Sequence, residues 1–223
     1  EEQQAPVTDK EILMTCGASG ALNVALKTIL DPGDEVLTPA PCFVEYKFYA
    51  DNHGGALKTV PSKPDFQLDL DAMSDAITAK SKAVLINSPN NPTGQVYPEK
   101  DLVALGALLE KKSKDYKRTI YLISDEPYRK IVYDGVRVPS IFTSYKNSII
   151  GTSYSKDISI PGERIGFIAV NPAATYKNEL IGGMTVANRI LGFVNAPALM
   201  QRVVACMQGM SVDISEYKRK RDI

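Results

Sequence analysis

The sequence has little histidine, little cysteine and no excess of charge of either sign, and each shortage narrows the classes of function. Its single histidine, His53, rules out a histidine-rich zinc site and leaves little room for a serine–histidine–aspartate triad. The three cysteines are odd in number and far apart, which favours buried thiols in a reducing cytoplasm over a disulfide framework; they are Cys16, Cys42 and Cys206. The 26 basic and 26 acidic residues give a formal net charge of zero, which does not favour nucleic acid or an anionic membrane as a partner.

Long apolar runs are also lacking, and no stretch approaches the length that a membrane-spanning helix needs. The first ten residues, EEQQAPVTDK, do not resemble a signal peptide. If the chain is an enzyme, its acid–base group is therefore expected to be a lysine, a tyrosine or a carboxylate. The 223 residues, of which 44% are hydrophobic and 23% charged, are typical of a globular chain that buries a substantial core.

Strand-like and helix-like segments alternate along most of the chain. Short apolar runs predict strands at 11–15, 35–40, 56–60, 82–88, 119–124, 147–153 and 164–170. Apolar residues at helical spacing predict a helix that opens at Gly17, further helices at 43–52, 68–79 and 98–112, and helical blocks at 173–191, 196–210 and 212–222. This alternation predicts an α/β fold with a mainly parallel central sheet and helices on both faces. In such sheets ligands bind at the carboxyl ends of the strands, so functional residues should directly follow strands.

Two short turns follow predicted strands and could bind a ligand. In TCGASGAL (15–22), the backbone N–H groups of Ala18, Ser19 and Gly20 would lie at a helix N-terminus, which favours phosphate. The same residues are also typical of an ordinary turn and helix cap. SPNNPTG (88–94) places two asparagines between prolines in a rigid turn whose amides can face a ligand, although such turns are common.

Two charged residues also follow predicted strands. Asp125 in SDEPY ends a buried strand, where a carboxylate either needs a cationic partner or caps a helix. Lys156 in SYSKDISIPGERIGF is predicted to lie at a buried strand end, where desolvation would lower the pKa of its amine and leave a nucleophile for a carbonyl. Nearby, Ser153 and Ser155 supply hydroxyls, and Arg164 supplies a guanidinium that matches phosphate.

These groups together fit the chemistry of one cofactor. An amine that forms an imine with an aldehyde, a carboxylate for a protonated ring nitrogen and a clamp for phosphate are the three requirements of pyridoxal 5′-phosphate. In their order and distances, TCGASGAL, PAPCFVEY, SPNNPTG, SDEPY and SYSKDISIPGERIGF resemble the fold-type I pyridoxal-phosphate aminotransferases. The resemblance is to the class I/II group that includes aspartate and aromatic aminotransferases, and it covers nearly the whole chain.

The resemblance implies a role for each residue at these motifs. Lys156 would be the lysine of the internal aldimine and the base that moves a proton between Cα and C4′, and Asp125 would pair with the pyridine nitrogen. Asn91 and Tyr128 would bond to the phenolic oxygen of the ring, and Phe43 would stack on the ring face. Phe43 could equally be a core residue and Tyr128 a packing residue. The phosphate would be held by the remaining residues, Ala18, Ser19, Gly20, Ser153, Ser155 and Arg164.

The resemblance also implies a domain division and partners. Residues 1–211 would form the cofactor-binding large domain, and 212–223 would begin the interdomain helix, without the N-terminal arm and the C-terminal small domain of the family. The family's arginine for the substrate α-carboxylate would lie outside this chain, so we expect cofactor binding with little or no transamination. A homodimer, amino acid and 2-oxo acid substrates, and no metal, nucleic acid or membrane partner are expected.

Substrate choice depends on one weaker feature. Arg189, in a segment at 188–198, resembles the arginine that dicarboxylate-specific members send into the neighbouring subunit's site, although a surface arginine fits equally well. Overall resemblance favours aspartate with 2-oxoglutarate. A carbon–sulfur lyase or a cyclopropane-forming synthase would use the same lysine. A cofactor-sensing domain of a transcription regulator is a further alternative, but the chain shows no basic recognition helix.

Overall fold

One seven-stranded sheet organises the computed structural model, which describes residues 2–223. The strands are β1 (Ile12–Thr15), β2 (Glu35–Ala40), β3 (Ala56–Pro61), β4 (Ser81–Asn87), β5 (Tyr121–Asp125), β6 (Ser148–Ser153) and β7 (Gly166–Val170). Their order across the sheet is β1-β7-β6-β5-β4-β2-β3. Strands β6, β5, β4, β2 and β3 pair in parallel, whereas β7 is antiparallel to both of its neighbours. The predicted α/β fold with a mainly parallel sheet is confirmed.

The helices join the strands as crossover connections and then follow the last strand. They are α1 (Gly17–Ile29), α2 (Tyr46–Asp51), α3 (Leu70–Ala76), α4 (Glu99–Asp115), α5 (Lys177–Ile190), α6 (Ala198–Cys206) and α7 (Ser215–Arg221). Two short 3₁₀ helices lie at Asp9–Glu11 and Pro161–Glu163. None of the helices in the described part of the chain combines the length and the apolar character that crossing a bilayer requires.

Two apolar layers cover the two faces of the sheet. Successive side chains of a strand point to opposite faces, so Leu85 of β4 packs with α1, α2 and α5, whereas Val84 and Ile86 pack with α3 and α4. These strand residues are fully buried, as a parallel sheet covered on both sides requires. Helices therefore lie on both faces, as the unbroken apolar strands predict.

Two glycines bring the start of α1 close to the sheet. A Cβ at Gly166 would lie 2.2 Å from the backbone oxygen of Thr152 and 2.9 Å from the carbonyl carbon of Gly17, so a larger residue would push these segments apart. Gly17 has φ of +72°, which side-chain-bearing residues rarely adopt. The first turn of α1 is thereby fixed beside the ends of β6 and β7.

The predicted boundaries differ from the observed ones by a few residues. The helix predicted over 68–79 spans Leu70–Ala76, and Asp69 caps it by accepting a hydrogen bond from the Ala72 N–H at 2.9 Å. The strand predicted from position 164 begins at Gly166, because Arg164 adopts a left-handed conformation with φ of +49°. Helices α2, α5, α6 and α7 are likewise shorter than their predicted blocks.

Candidate functional site

A cavity of about 310 Å³ opens at the carboxyl ends of β4, β5 and β6, beside the first turn of α1. This is the edge at which ligands bind in parallel α/β sheets. Every residue predicted to hold the cofactor lines it except Gly20; the set is Ala18, Ser19, Phe43, Asn91, Asp125, Tyr128, Ser153, Ser155, Lys156 and Arg164. The structure thus brings together side chains that are spread over 147 positions of the sequence, from Ala18 to Arg164.

Asp125 is the last residue of β5 and is 7% exposed. The Tyr46 hydroxyl of α2 donates a hydrogen bond of 2.7 Å to Asp125 Oδ2. Its other oxygen, Oδ1, is buried and has no hydrogen-bond partner within residues 2–223. The helix-cap alternative is wrong, because turns rather than a helix follow Asp125.

The electrostatics of this carboxyl follow from its surroundings. Burial raises the pKa of Asp125 to about 7, the hydrogen bond from Tyr46 acts in the opposite direction, and the neighbouring Glu126 raises the pKa further. Burial and the nearby Asp125 also raise the pKa of Tyr46 well above its usual value, so the tyrosine keeps its proton. A buried carboxylate that accepts from only one neutral hydroxyl would be stabilised by a ligand that offers a cationic N–H group.

Asn87, the last residue of β4, holds the two neighbouring loops in place. Its Nδ2 donates to the backbone oxygen of Asp125 at 2.8 Å, and its Oδ1 accepts from the Asn91 N–H at 2.5 Å. Asn87 and Tyr46 are residues of the candidate site that the sequence analysis missed. The available signal was position: Asn87 is a polar residue at the end of an apolar strand, as Asp125 is.

Two aromatic residues and an amide line the middle of the cavity. Tyr128 is half-buried, and burial and Asp125 raise the pKa of its hydroxyl, while the neighbouring Asn91 side chain acts in the opposite direction. Phe43 contacts the core at its base and packs edge-on against the Tyr46 ring, with the ring centroids 5.6 Å apart. Phe43 is thus both a partial core residue and a cavity wall.

The opposite part of the cavity is suited to an anion. The first turn of α1 points its free N–H groups there, and its N-cap residue, Cys16, makes no capping hydrogen bond with its side chain. The Arg164 guanidinium lies against Gly17, where an added Cβ would be 3.1 Å from Nη2. Arg164 Nη1 also donates to the Pro161 backbone oxygen at 2.9 Å, which fixes the guanidinium. A helix N-terminus and a guanidinium together match a phosphate dianion.

Lys156 lines the same cavity but does not have the predicted environment. Its side chain is exposed, with Nζ 5.7 Å from the centroid of the Tyr128 ring. The prediction of a buried lysine is therefore wrong, because β6 ends at Ser153 and Lys156 lies on the turns beyond it.

Three other predicted residues have distinct positions. The Ser153 Oγ accepts a long hydrogen bond of 3.4 Å from the Ser155 N–H, so this pair shapes the wall beside Lys156. Gly20 is buried in the first turn of α1, and a Cβ there would meet Cys16 at 3.3 Å, which indicates a packing role. Arg189 is exposed in the last turn of α5 and lies outside the cavity.

The residues of the cavity fit pyridoxal 5′-phosphate. The unpartnered Asp125 Oδ1 matches the protonated ring nitrogen, and the α1 N-terminus with Arg164 matches the phosphate. The flat Phe43 ring and the polar Asn91 and Tyr128 side chains lie on the walls between these features.

Comparison with known proteins gives one family. Residues 1–220 match the family model described as aminotransferase class I and II. A probable aspartate aminotransferase of Methanocaldococcus jannaschii is 32% identical over all of this chain and 59% of its own length. A probable aspartate/prephenate aminotransferase of Thermus aquaticus is 33% identical over all of this chain and 57% of its own length.

The solved structures that resemble this chain include aminotransferases as well. An amino transferase from Eubacterium rectale superposes with a TM-score of 0.95 at 44% identity, over 97% of this chain and 55% of that one. The Thermus thermophilus aspartate aminotransferase with maleate superposes with a TM-score of 0.76 at 31% identity, over 87% of this chain and 48% of that one. The chain thus spans between about half and three fifths of the length of these relatives.

Proposed function

This chain belongs to the class I and II aminotransferases, a family that depends on pyridoxal phosphate, and on that premise we propose that it is the cofactor-binding large domain of such an enzyme. The enzyme transfers an amino group between an L-amino acid and a 2-oxo acid. Residues 1–211 form this domain, and 212–223, which include α7, begin the helix that leads to a second domain. The observation that carries the proposal is the buried, unpartnered Asp125 Oδ1 in a cavity that also holds Lys156 and Arg164.

The chain's own residues divide the work of holding the cofactor. When bound, the cofactor supplies an aldehyde that takes up the amino group and a ring that withdraws electrons. Asp125 keeps a proton on the ring nitrogen, which maintains that withdrawal. Asn91 and Tyr128 donate to the phenolic oxygen, and Phe43 supports the ring face. The α1 N-terminus, Arg164 and the serines bind the phosphate; the residues in this group are Ala18, Ser19, Ser153, Ser155 and Arg164.

Lys156 supplies the amine of the reaction. Its Nζ would hold the cofactor by condensing with the aldehyde, with loss of water, and when free it would act as the base that moves a proton between the substrate Cα and the C4′ atom of the cofactor. The exposed position of the side chain supports both roles, since within residues 2–223 it makes no hydrogen bond or ion pair and can move between the two atoms.

The proposal extends to substrates and assembly. Relatives named aspartate and aspartate/prephenate aminotransferases support aspartate as the amino donor, and we propose 2-oxoglutarate as the acceptor. A homodimer, in which Arg189 reaches the neighbouring site, is part of the same proposal. The three cysteines are free thiols, which supports a location in the reducing cytoplasm.

The proposal is tested by adding pyridoxal 5′-phosphate to the purified chain and reducing with borohydride. We expect a visible absorption band before reduction and a phosphopyridoxyl adduct at Lys156 by peptide mass spectrometry. Lys156→Ala should lose both signals while its far-UV circular dichroism is retained. An adduct spread over the surface lysines would refute the assigned site.

The same sample tests the reaction. L-aspartate should convert the loaded chain to the pyridoxamine form slowly, because the α-carboxylate anchor expected from the family is not among the residues that line the cavity. Conversion at the rate of a complete aminotransferase would refute this part of the proposal, and faster conversion with an aromatic amino acid would refute the preference for aspartate.

A further inference from the structure

Two loops carry the residues that would hold the cofactor ring and its aldehyde. Segment 126–133 follows β5 and contains Tyr128, and segment 154–160 follows β6 and contains Lys156. Neither segment is helix or strand, so beyond the paired ends of β5 and β6 their separation depends on contacts between the loops. Within residues 2–223, Lys156 itself makes no hydrogen bond or ion pair. The location of its amine therefore depends on how the neighbouring backbone is held.

Asp157, the residue after Lys156, holds that backbone. It is 7% exposed, and its Oδ1 accepts from the Ile158 N–H at 2.9 Å, which fixes the turn. Its backbone oxygen accepts from the Val212 N–H at 2.6 Å. Its Oδ2 accepts from Lys130 Nζ at 3.2 Å. The backbone oxygen and both carboxylate oxygens of Asp157 thus accept hydrogen bonds from three different residues.

Lys130 provides the connection to the other loop. It lies two residues after Tyr128, and its side chain is one-third exposed while that of Asp157 is 10% exposed. Burial alone would lower the pKa of Lys130, but the charges of Glu2 and Asp157 outweigh it and hold the pKa above its usual value. The second anion, Glu2, lies at 3.5 Å and is 54% exposed, so Asp157 is the shielded partner. The attraction between two charges is stronger when they are shielded from water than when they are exposed.

We propose that Lys130 and Asp157 are a positioning pair, which holds the loop of Lys156 at a fixed separation from the loop of Tyr128 so that the amine meets the cofactor aldehyde. This inference rests on the proposed function. It assigns the pair no contact with substrate or cofactor, and its effect is on the pre-arrangement of the lysine.

Three variants separate the contributions. Asp157→Asn removes the charge but keeps an oxygen for the Ile158 N–H, so the local turn is preserved. Lys130→Met removes the cation and keeps the length of the side chain. Glu2→Gln is the matched control, since it removes the exposed partner of the same lysine. The double variant Asp157→Asn with Lys130→Met tests whether the effects of the two substitutions add or arise from one common interaction.

Two measurements are made on each protein. Hydrogen–deuterium exchange of the cofactor-free chain follows the amides of 154–160 and 126–133. We expect faster exchange in both segments for Asp157→Asn and for Lys130→Met, and exchange as in the unaltered chain for Glu2→Gln. The rate of adduct formation at Lys156 with pyridoxal 5′-phosphate should fall about three- to tenfold in each single variant, with no further fall in the double variant.

The outcomes distinguish this inference from the function on which it rests. If the unaltered chain forms no adduct at Lys156, the proposed function and the inference are both overturned. If it forms the adduct and the single variants react at the same rate, the positioning role alone is overturned, even where exchange is faster. Equal effects in Glu2→Gln and Asp157→Asn, or additive effects in the double variant, would also overturn it.

Discussion

Asp125 and Glu126 are adjacent buried carboxylates at the end of β5, and they differ in the partners that the protein gives them. Glu126 is 2% exposed and accepts from Arg129 Nη1 at 2.9 Å and from Gln3 Nε2 at 2.8 Å. Asp125 is nearly as buried, but it accepts from one neutral hydroxyl, that of Tyr46, and one of its oxygens has no partner in the described chain. Neighbours in the sequence thus face two different environments on the two sides of the sheet edge.

On the proposed function, this difference distinguishes a structural carboxylate, Glu126, from a ligand-binding one, Asp125. Burial raises the pKa of both residues, but at Glu126 the charge of Arg129 and the hydrogen bonds from Arg129 and Gln3 act against it. At Asp125 only the Tyr46 hydroxyl does so, and its pKa is raised to about 7. Removing a buried acid whose cation the protein supplies leaves that cation unpaired, whereas a buried acid without a protein cation is the candidate for binding a cationic ligand group.

The largest effect is expected when the ligand-binding member is neutralised. Asp125→Asn should slow the reaction of the loaded protein with an amino acid by about 10²–10³-fold, because the ring nitrogen loses the anion that keeps it protonated. The free energy of unfolding of the cofactor-free chain at pH 8 should stay within about 1 kcal/mol or rise, since a buried charge is removed. Stopped-flow absorbance and urea unfolding measure the two quantities. A large loss of stability with an unchanged rate would reverse the assignment of roles.

The structural member should show the opposite profile. Glu126→Ala should lower the free energy of unfolding by about 3–5 kcal/mol, because the buried Arg129 then keeps only the half-exposed carboxylate of Glu2, 4.0 Å from its Nε. The backbone oxygens of Pro139 and Val138 still accept from Arg129 but do not neutralise its charge. Protein that remains folded should keep its affinity for pyridoxal 5′-phosphate, measured by fluorescence titration. If Glu126→Ala folds but does not bind pyridoxal 5′-phosphate, both carboxylates are needed for cofactor binding.

The sequence is sufficient to find Asp125 but not to find the residues that surround it. Asp125 was found because it directly follows an apolar strand, and the carboxyl ends of parallel strands meet at one edge. Its partners were not, because Tyr46 is 79 residues away and Asn87 is 38 residues away, and no local pattern links them. The burial of Lys156 was predicted wrongly for a related reason: the apolar run predicts where the strand lies, but not on which residue it ends or how open the following turns are.

The last expected effect is the dependence of stability on pH, which separates the contribution of Asp125 from that of Glu126. A carboxyl whose pKa is about 7 when folded and near 3.8 when unfolded binds more protons in the folded chain, so stability falls as the pH rises through this range. The fall in the free energy of unfolding should be at most about 4 kcal/mol, since one pKa unit corresponds to about 1.4 kcal/mol. The pKa of Glu126 is raised as well, so the informative quantity is the difference between the unaltered chain and Asp125→Asn in urea unfolding from pH 4 to 8.

Tyr46→Phe should extend the fall in stability to higher pH, because the hydroxyl that favours the charged carboxylate of Asp125 is gone. Parallel curves for the unaltered chain and Asp125→Asn would mean that Asp125 is as well satisfied as its neighbour, and the contrast between the two carboxylates would not hold.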